Sequence, residues 1–276
     1  MKRAILRLAK VHLVGDLYER ACDRGVSLPL DAKRRERLAC IARAGALFIH
    51  IPKNAGMSIS AALYDQQIKH ASIRYYQLAA PDLVRRVVSF AVVRDPVARF
   101  ASSLSYAQAG GGKDNAVSEP FRDRYRSFRT ADDALDHLET ATSLYQLDHI
   151  FRPQSWYLRG IDGALAVDRI FAMSDTDALQ AFLDAGGGPK LRHLNASDPR
   201  RPSLSAKQID RIERFYAKDR VLFDSVAGRG SRSDAQTGSS HGATPPWQPP
   251  LTHSGASAGA AAQEPAGQNK ERSGRC

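Results

Sequence analysis

Cysteine, methionine and tryptophan are scarce in this chain, and long hydrophobic runs are missing. The three cysteines, Cys22, Cys40 and Cys276, lack the spacing of a disulfide framework or of a metal site, and so few thiols are typical of a reducing compartment. No apolar run reaches the roughly 18 residues of a membrane span. Residues 1–10 are basic and amphipathic, unlike a signal peptide. We therefore expect a cytoplasmic protein with at most weak peripheral membrane contact.

Negative charge is also in short supply. The chain has 40 Lys and Arg against 29 Asp and Glu, a net charge of +11. The basic clusters at 33–37 and 122–129 are interpreted as solvated faces, because no ribonucleoprotein, zinc-finger or helix-turn-helix pattern accompanies them. We expect no nucleic-acid partner, and we attribute the excess charge to steering of an anionic ligand. The oligomeric state stays open.

Aliphatic residues become rare after residue 227, where Gly, Ser, Ala, Pro, Gln and Thr predominate. Such a composition cannot bury enough apolar surface to offset chain entropy, so 228–276 is predicted to be disordered. The rest of the chain suits one α/β domain over 46–227, preceded by an N-terminal helical segment, 1–45, that packs on it.

Residues 46–60 predict a short buried strand, a tight loop and the start of a helix. Pro52 ends the strand, and Gly56 allows the backbone to approach an anion. The amides of 55–58 would point at a phosphate or sulfate, with Lys53 adding a mobile charge. The triphosphatase loop has its lysine after the second glycine instead, so a structural turn with a solvated lysine stays an alternative.

Residues 88–106 repeat this plan, with a strand over 88–93 and a helix that begins at the favourable cap Asp95 and Pro96. Arg94 follows the strand at the edge where open α/β sheets bind ligands. Together with Ser102 it would form a receptor for a second phosphate. A salt bridge from Arg94 to Asp95 or to another carboxylate is the alternative.

The remaining segments complete an alternation of strands and helices, which implies a parallel sheet. Residues 110–130 are glycine-rich and then charged, and are interpreted as a mobile loop at the mouth of the site. The other predictions are helices over 57–68, 131–143 and 205–218, a strand over 167–173, and a short strand or extended segment over 72–76.

Together the two loops resemble the sulfotransferases that use 3′-phosphoadenosine 5′-phosphosulfate (PAPS), in their carbohydrate sulfotransferase-like branch, "sulfotransferase family 2" type. The family's motifs look like His-Ile-Pro-Lys-Thr-Ala-Gly-Thr-Ser-Ile, similar to residues 50–59, and Val-Arg-Asn-Pro-Tyr-Asp-Arg-Leu-Val-Ser, similar to 93–102. Downstream, the segments 152–154, 168–171, 193–195 and 216–219 are similar to its Arg-Pro-Gln, last-strand, His-x-Asn and Tyr-x-x-Asp elements. The resemblance spans about 46–225.

This resemblance implies an α/β fold with a P-loop-like parallel sheet flanked by helices in a single domain. It also implies an enzyme that moves a sulfuryl group from PAPS, without a metal, to a hydroxyl or amine of a small-molecule or glycan acceptor, a carbohydrate or glycoconjugate first. The cofactor would be held by Lys53, Asn54, Ala55, Gly56, Met57, Ser58, Arg94 and Ser102. The acceptor would contact His149, Arg152 and Gln154.

The catalytic candidates are Lys53, which would stabilise charge on the leaving phosphate, and His70 as general base. His70 lies between the two loop motifs, and a pKa near neutrality would suit deprotonation of a hydroxyl. His149, His137 and His193 stay open as alternatives, as does a carboxylate or the absence of a defined base.

The chain departs from the family pattern at three points. Asn54 and Met57 replace the two threonines of the first loop, and Phe-Ala-Met-Ser at 171–174 lacks the acidic residue near the end of the last strand. Loss of one hydrogen bond to a charged acceptor costs about 1.5–3 kcal/mol, which weakens the site without removing it. A non-catalytic nucleotide-binding or interaction protein and a P-loop kinase-like phosphotransferase therefore remain alternatives.

Overall fold

Three parallel strands form the centre of the computed structural model, which describes residues 6, 8–112, 115–191 and 202–228. They are β1 (Ala46–Ile49), β2 (Val88–Val93) and β3 (Arg169–Ala172), in the order β1-β2-β3. Ala46 pairs with Val88, and Phe90 pairs with Arg169. Every residue of β1 and β2 is buried, as expected for strands of a parallel sheet that are apolar at all positions but Ser89. The predicted parallel sheet is confirmed.

Helices flank this sheet and connect its strands. In chain order they are α1 (Val14–Cys22), α2 (Ala32–Ala44), α3 (Gly56–Tyr64), α4 (Ile73–Ala79), α5 (Pro81–Arg86), α6 (Pro96–Gln108), α7 (Glu119–Arg126), α8 (Ala131–Thr140), α9 (Gln154–Leu158), α10 (Thr176–Ala185), α11 (Ala206–Phe215) and α12 (Ala217–Ala227). Short 3₁₀ turns lie at Leu144–Gln146 and His149–Phe151. The architecture is therefore mixed α/β.

Two apolar clusters hold these elements together. The first surrounds the sheet and includes Phe48, Phe90 and Leu183. The second lies among α6, α7, α8 and α11, where Phe100 and Tyr125 are fully buried. The loop after β2 leads from the first cluster to the second, which we call the helical layer, because β2 belongs to the sheet and Phe100 of α6 belongs to the second cluster.

The prediction of a strand or extended segment over 72–76 is wrong. These residues start helix α4, and the hydroxyl of Ser72 accepts a hydrogen bond from the Tyr75 amide at 3.3 Å. Glu19 of α1 in turn accepts hydrogen bonds from the amide and the hydroxyl of Ser72, at 2.8 and 2.6 Å. A helix cap completed by a distant carboxylate overrides the local preference of Ile73 and Tyr75 for strands.

The prediction of a mobile loop over 110–130 is wrong for its second half. Helix α7 forms there, and Phe121, Tyr125 and Phe128 are buried in the helical layer. The first helix after β1 ends at Tyr64, four residues earlier than predicted, because Asp65 adopts a left-handed conformation with φ 52°.

The other predicted helices are confirmed with shifted ends. The helix predicted over 205–218 is split at Tyr216 into α11 and α12. Within the described ranges, no helix is long and apolar enough to cross a membrane. The predicted disordered tail, 228–276, lies almost wholly outside the described residues, as does His193.

Candidate functional site

A cavity of about 800 Å³ opens at the carboxyl edge of the sheet. Its wall includes residues that follow each strand: His50 after β1, Arg94 after β2 and Met173 after β3. Ligands of open α/β sheets bind at this edge. Of the residues predicted from sequence, the cavity brings together Lys53, Ala55, Gly56, Met57, Ser58, His70, Arg94, Ser102 and His149.

The loop after β1 has an unusual backbone. Lys53 and Ala55 both adopt left-handed conformations, with φ 70° and 58°, which non-glycine residues avoid. Ala55 is the N-cap of α3, and within the described chain no side chain caps this helix. The amide of Ser58 donates to the carbonyl of Ala55 at 3.1 Å, so the first two helical amides, those of Gly56 and Met57, are the ones left for an anion.

Gly56 is required here by the ring of His50 rather than by its own φ. A Cβ at position 56 would lie 1.9 Å from Cδ2 of His50, so no other residue fits without moving the ring. The ring is fixed by stacking on Phe48, with centroids 5.7 Å apart, and by contact of its Nδ1 with the carbonyl of Ile68 at 2.9 Å. The glycine therefore lets the helix start approach a packed imidazole.

Two cationic side chains hold the loop and a third lies in it. Arg94 Nη1 donates to the carbonyl of Lys53 at 3.2 Å, and the buried Arg99 donates through Nε to the carbonyl of Pro52 at 3.1 Å. The Lys53 ammonium lies over the ring of Tyr106, 4.2 Å from its centroid. This cation–π contact positions Lys53 beside the uncapped helix start.

The loop after β2 starts its helix conventionally. Asp95 accepts a hydrogen bond from the amide of Ala98 at 2.8 Å, and Pro96 is the first helical residue, as predicted. The carboxylate of Asp95 forms its ion pair with Arg220 at 2.7 Å, rather than with Arg94. Asp95 is therefore not the ion-pair partner of Arg94, which lines the cavity.

Ser102 and Ser103 lie three and four residues after Arg99 on α6, but the three side chains differ in burial and in their contacts. Ser102 lines the cavity. Arg99 and Ser103 point inward, and the hydroxyl of Ser103 donates to the carbonyl of Ile150 at 2.8 Å. Of these three side chains, only that of Ser102 can assist Arg94 in holding an anion.

Three histidines form a row along the cavity. The ring centroids of His50 and His70 are 4.2 Å apart, and those of His70 and His149 are 5.6 Å apart. Nδ1 of His70 lies 3.0 Å from the carbonyl of His50. Because a carbonyl only accepts, Nδ1 carries the hydrogen and Nε2 of His70 keeps its lone pair.

Burial keeps these histidines neutral. Desolvation lowers the pKa of His70 to about 4, with the hydrogen bond to His50 opposing the shift and Arg99 adding to it. Burial likewise lowers the pKa of His50 and His149 well below the usual value. The expected near-neutral pKa of His70 is therefore not what this environment produces. His137 packs against Tyr125 in the helical layer and does not line the cavity.

Asn54 and Gln154 lie behind the cavity wall and join the two loops. Nδ2 of Asn54 donates to the carbonyl of Val92 at 2.8 Å and to Oε1 of Gln154 at 2.7 Å. Gln154 also accepts from the amide of Arg94 at 2.9 Å and donates to its carbonyl at 2.8 Å. The backbone amide of Gln154 donates to the buried Asp219 at 2.6 Å. Both side chains are fully buried and reach no ligand from these positions.

Arg152, predicted to contact the acceptor, is also fully buried. Its two terminal nitrogens donate to the two oxygens of Asp16, each at 2.7 Å, and it donates to the carbonyl of Leu147. This bidentate pair attaches α1 to the segment that carries His149. The structure therefore places Arg152 beneath the cavity wall, not on it.

Sequence reasoning missed the contribution of α1 and α2 to the cavity. Tyr18 and Glu19 of α1, and Arg34 and Arg37 of α2, line it together with Lys69. The sequence predicts a solvated face for the basic cluster at 33–37, whereas two of its arginines line the cavity. Its one available signal was the density of Arg and Lys, which by itself does not indicate the direction of a side chain.

The arrangement can hold anions at a helix start and at Arg94, and it can accept a proton at a neutral imidazole. Among the described residues, no group of three or more His, Cys, Asp or Glu side chains is arranged to hold a metal ion. No protein-family model, curated protein or solved structure matches the chain.

Proposed function

We propose that this protein is a PAPS-dependent sulfotransferase on a P-loop-like fold, which sulfates a hydroxyl or amine of a carbohydrate or glycoconjugate. One observation carries the proposal: the uncapped start of α3, Lys53, Arg94, Ser102 and His70 face a single cavity at the carboxyl edge of the sheet. Two anion receptors and a proton acceptor are what sulfuryl transfer between a phosphoadenosine donor and a hydroxyl requires.

The donor set fits PAPS. The amides of Gly56 and Met57, with Lys53, suit the 5′-phosphosulfate, because an uncapped helix start favours negative charge. Arg94 and Ser102 suit the separate 3′-phosphate. The cavity, about 800 Å³, falls in the range of small-molecule sites. When bound, PAPS would supply the sulfuryl group; the protein supplies position, charge and the proton acceptor.

Lys53 is the electrostatic residue of this mechanism. Its ammonium stabilises the negative charge that develops as the bond from sulfur to the leaving phosphate oxygen breaks. The ring of Tyr106 holds the ammonium in the cavity without neutralising it, because a cation–π contact leaves the charge in place.

His70 is the proton acceptor. Nε2 takes the proton of the acceptor hydroxyl as its oxygen bonds to sulfur. Because its pKa is about 4, the imidazole is in the basic form above that pH and becomes protonated only as the pH falls through it. We expect kcat to stay level from about pH 8 down to about pH 5 and to fall below. Loss of this limb in His149→Ala but not in His70→Ala would assign the base to His149.

The decisive test is transfer of radiolabelled sulfate from PAPS to a panel of sugars, glycolipids and phenols. A parallel melting experiment compares protection by 3′-phosphoadenosine 5′-phosphate (PAP) with protection by ATP and magnesium. We expect label on a sugar acceptor and protection by PAP alone. Protection only by ATP with magnesium would replace the proposal with a phosphotransferase.

A non-catalytic nucleotide-binding protein is the second candidate, and one observation favours it. Met57 is 44% exposed at the second position of α3, where the resembling enzymes have a threonine hydroxyl. Protection by PAP, without transfer to any member of the acceptor panel, would support this candidate instead.

A further inference from the structure

The cavity contains a second basic cluster that the proposed mechanism does not use. It consists of Arg34 and Arg37 on α2 and Lys69 in the segment between α3 and α4, all lining the cavity. Arg34 and Arg37 precede the part of the chain that resembles sulfotransferases. The cluster is therefore a feature of this chain in addition to the two loop motifs.

The three cations lie close enough to repel one another. The pKa of Lys69 is lowered, first by partial burial and then by the charges of Arg37 and Arg34. Mutual repulsion at a cavity wall is unfavourable in the unliganded protein, and a bound anion relieves it.

Only part of this charge is neutralised by the protein. Arg34 forms an ion pair with Asp31, and its guanidinium stacks on the ring of Tyr18, 3.7 Å from the centroid. The side chains of Arg37 and Lys69 make no hydrogen bond or ion pair with the residues that the structure describes. Their donors remain available to a ligand in the cavity.

Asp31, which pairs with Arg34, offsets part of the charge of Arg37 and Lys69, but the carboxylates that line the cavity do not add to this. Glu19 and Asp148 are the carboxylates among the described lining residues. Both oxygens of Glu19 accept hydrogen bonds from Ser72, and Asp148 accepts one from the amide of Ile150 at 3.1 Å. The region around Arg37 is therefore positive and separate in sequence from Lys53 and Arg94.

Aromatic rings adjoin this positive region. Tyr18, Tyr75 and Tyr76 line the same cavity, and the rings of Tyr18 and Tyr75 meet edge to face with centroids 6.1 Å apart. An aromatic wall beside cations suits a ligand that combines an apolar ring face with a negative group.

We propose that the acceptor carries an anionic group, a carboxylate or a phosphate or sulfate ester, and that Arg37 and Lys69 bind it while Arg34 orients the site. This inference rests on the proposed function, since it names the substrate class of the same cavity. It adds specificity: neutral sugars of the same shape should be poor acceptors.

The test measures dissociation constants of two matched pairs of probes for the full chain by calorimetry, with and without saturating PAP. The first pair is 4-nitrophenyl β-glucuronide and 4-nitrophenyl β-glucoside, and the second is glucose 6-phosphate and glucose. A charge-assisted hydrogen bond at an accessible site corresponds to about tenfold in affinity. We expect the anionic member of at least one pair to bind about tenfold more tightly.

Arg37→Gln and Lys69→Gln should each remove most of that preference and leave PAP affinity within about twofold. Arg214→Gln, a loss of the same charge at an exposed position of α11 outside the cavity, should change neither. Thermal melting of each variant checks that the fold is kept. Equal affinity within both pairs, or no binding of any probe, overturns the inference.

Two further outcomes separate the inference from the function. If Arg37→Gln weakens PAP as strongly as the anionic sugar, the cluster serves the nucleotide and the inference is wrong while the function stands. If PAP does not bind the wild-type protein, the proposed function fails, and the probe pairs measured without PAP still decide whether Arg37 and Lys69 form an anion site.

Discussion

The loops after β1 and β2 follow one plan of strand, tight turn and helix, yet they start their helices in opposite ways. Helix α6 begins at Pro96, which has no amide hydrogen, and Asp95 caps it by accepting a hydrogen bond from the amide of Ala98. Helix α3 begins at Gly56 after the N-cap Ala55, which has a left-handed conformation, and no side chain in the described chain caps it.

The two loops therefore offer different chemical groups to an anion. The first offers backbone amides to an anion because nothing within the loop satisfies them. In the second, the Asp95 side chain already accepts from the amide of Ala98, and the side chains of Arg94 and Ser102 are offered instead. Where backbone amides bind the anion, its affinity should depend on the shape of the loop and little on side-chain substitutions. Where side chains bind it, its affinity should depend mainly on those side chains.

The largest effect should come from Lys53→Ala, which removes the charge that stabilises the leaving phosphate. We expect kcat to fall about 10²–10³-fold, as for loss of one preorganised charge-stabilising donor. Sulfate-transfer kinetics measure the effect. Lys218→Ala, which removes an exposed lysine of α12, is the control. Wild-type turnover in a folded Lys53→Ala protein would contradict the role.

Arg94→Ala should show that the second loop binds through its side chain. We expect PAP affinity to fall by about 2–4 kcal/mol, because a charged partner of a phosphate is lost. Adenosine 5′-phosphosulfate, which has no 3′-phosphate, should lose far less affinity, and its loss should reflect only the missing hydrogen bond from Arg94 to the carbonyl of Lys53. Calorimetric titration compares the ligands, and equal losses for both would assign Arg94 to a different anion.

Gly56→Ala should show that the first loop depends on its shape. The added Cβ, 1.9 Å from Cδ2 of His50, must displace the ring or the helix start, and overpacking of this kind costs about 1–3 kcal/mol of unfolding free energy. Gly15→Ala is the matched control, since its Cβ meets nothing within 4 Å. Denaturant unfolding measures both. A smaller loss in the His50→Ala background would identify the clash as the cause.

The two caps should respond in opposite directions. Asp95→Ala removes a satisfied cap and should lower the unfolding free energy by about 0.5–2 kcal/mol. Ala55→Gly relieves a left-handed residue and should raise it by up to about 1 kcal/mol, after the entropy cost of glycine. Thermal or urea unfolding tests both; destabilisation by Ala55→Gly would show that the left-handed residue is not strained.

The smallest effect should come from Met57→Thr. Position 57 is the second residue of α3, so a threonine there cannot act as the N-cap, which is Ala55. Its hydroxyl can still donate to a phosphate or sulfate, and PAP should bind about 0.5–1.5 kcal/mol more tightly. Weaker binding in a calorimetric titration would mean that the thioether, which lies 3.5 Å from Nδ2 of Asn115, holds the loop for another ligand.

The parts of the fold that sequence could predict are those that local physics decides. The cap at Asp95 and Pro96 needs only neighbouring residues, and β2 is apolar at every position except Ser89. The extended segment predicted over 72–76 is wrong because Glu19, 53 residues away, completes the cap of the helix that forms there. No local pattern contains that partner.

The site was predictable to the same degree. The loops placed Lys53, Arg94 and Ser102 in one cavity because parallel strands end at one edge of a sheet. Arg152 and Gln154 could not be separated from ligand-binding residues by type, since an arginine paired with Asp16 and one paired with a phosphate look alike in sequence. Burial, set by tertiary packing, decides between them.

The position of Gln154 also has a consequence for the order of folding. Its side chain joins loops whose residues are 100 and 60 positions away, Asn54 and Arg94, and its backbone amide donates to Asp219, a further 65 positions along. Closing such long loops is slow relative to forming a helix or a hairpin. A nascent chain that has exposed β1 and β2 but not α12 would hold both receptors in separate, unaligned loops. Ligand affinity should therefore emerge only once Asp219 has joined the fold.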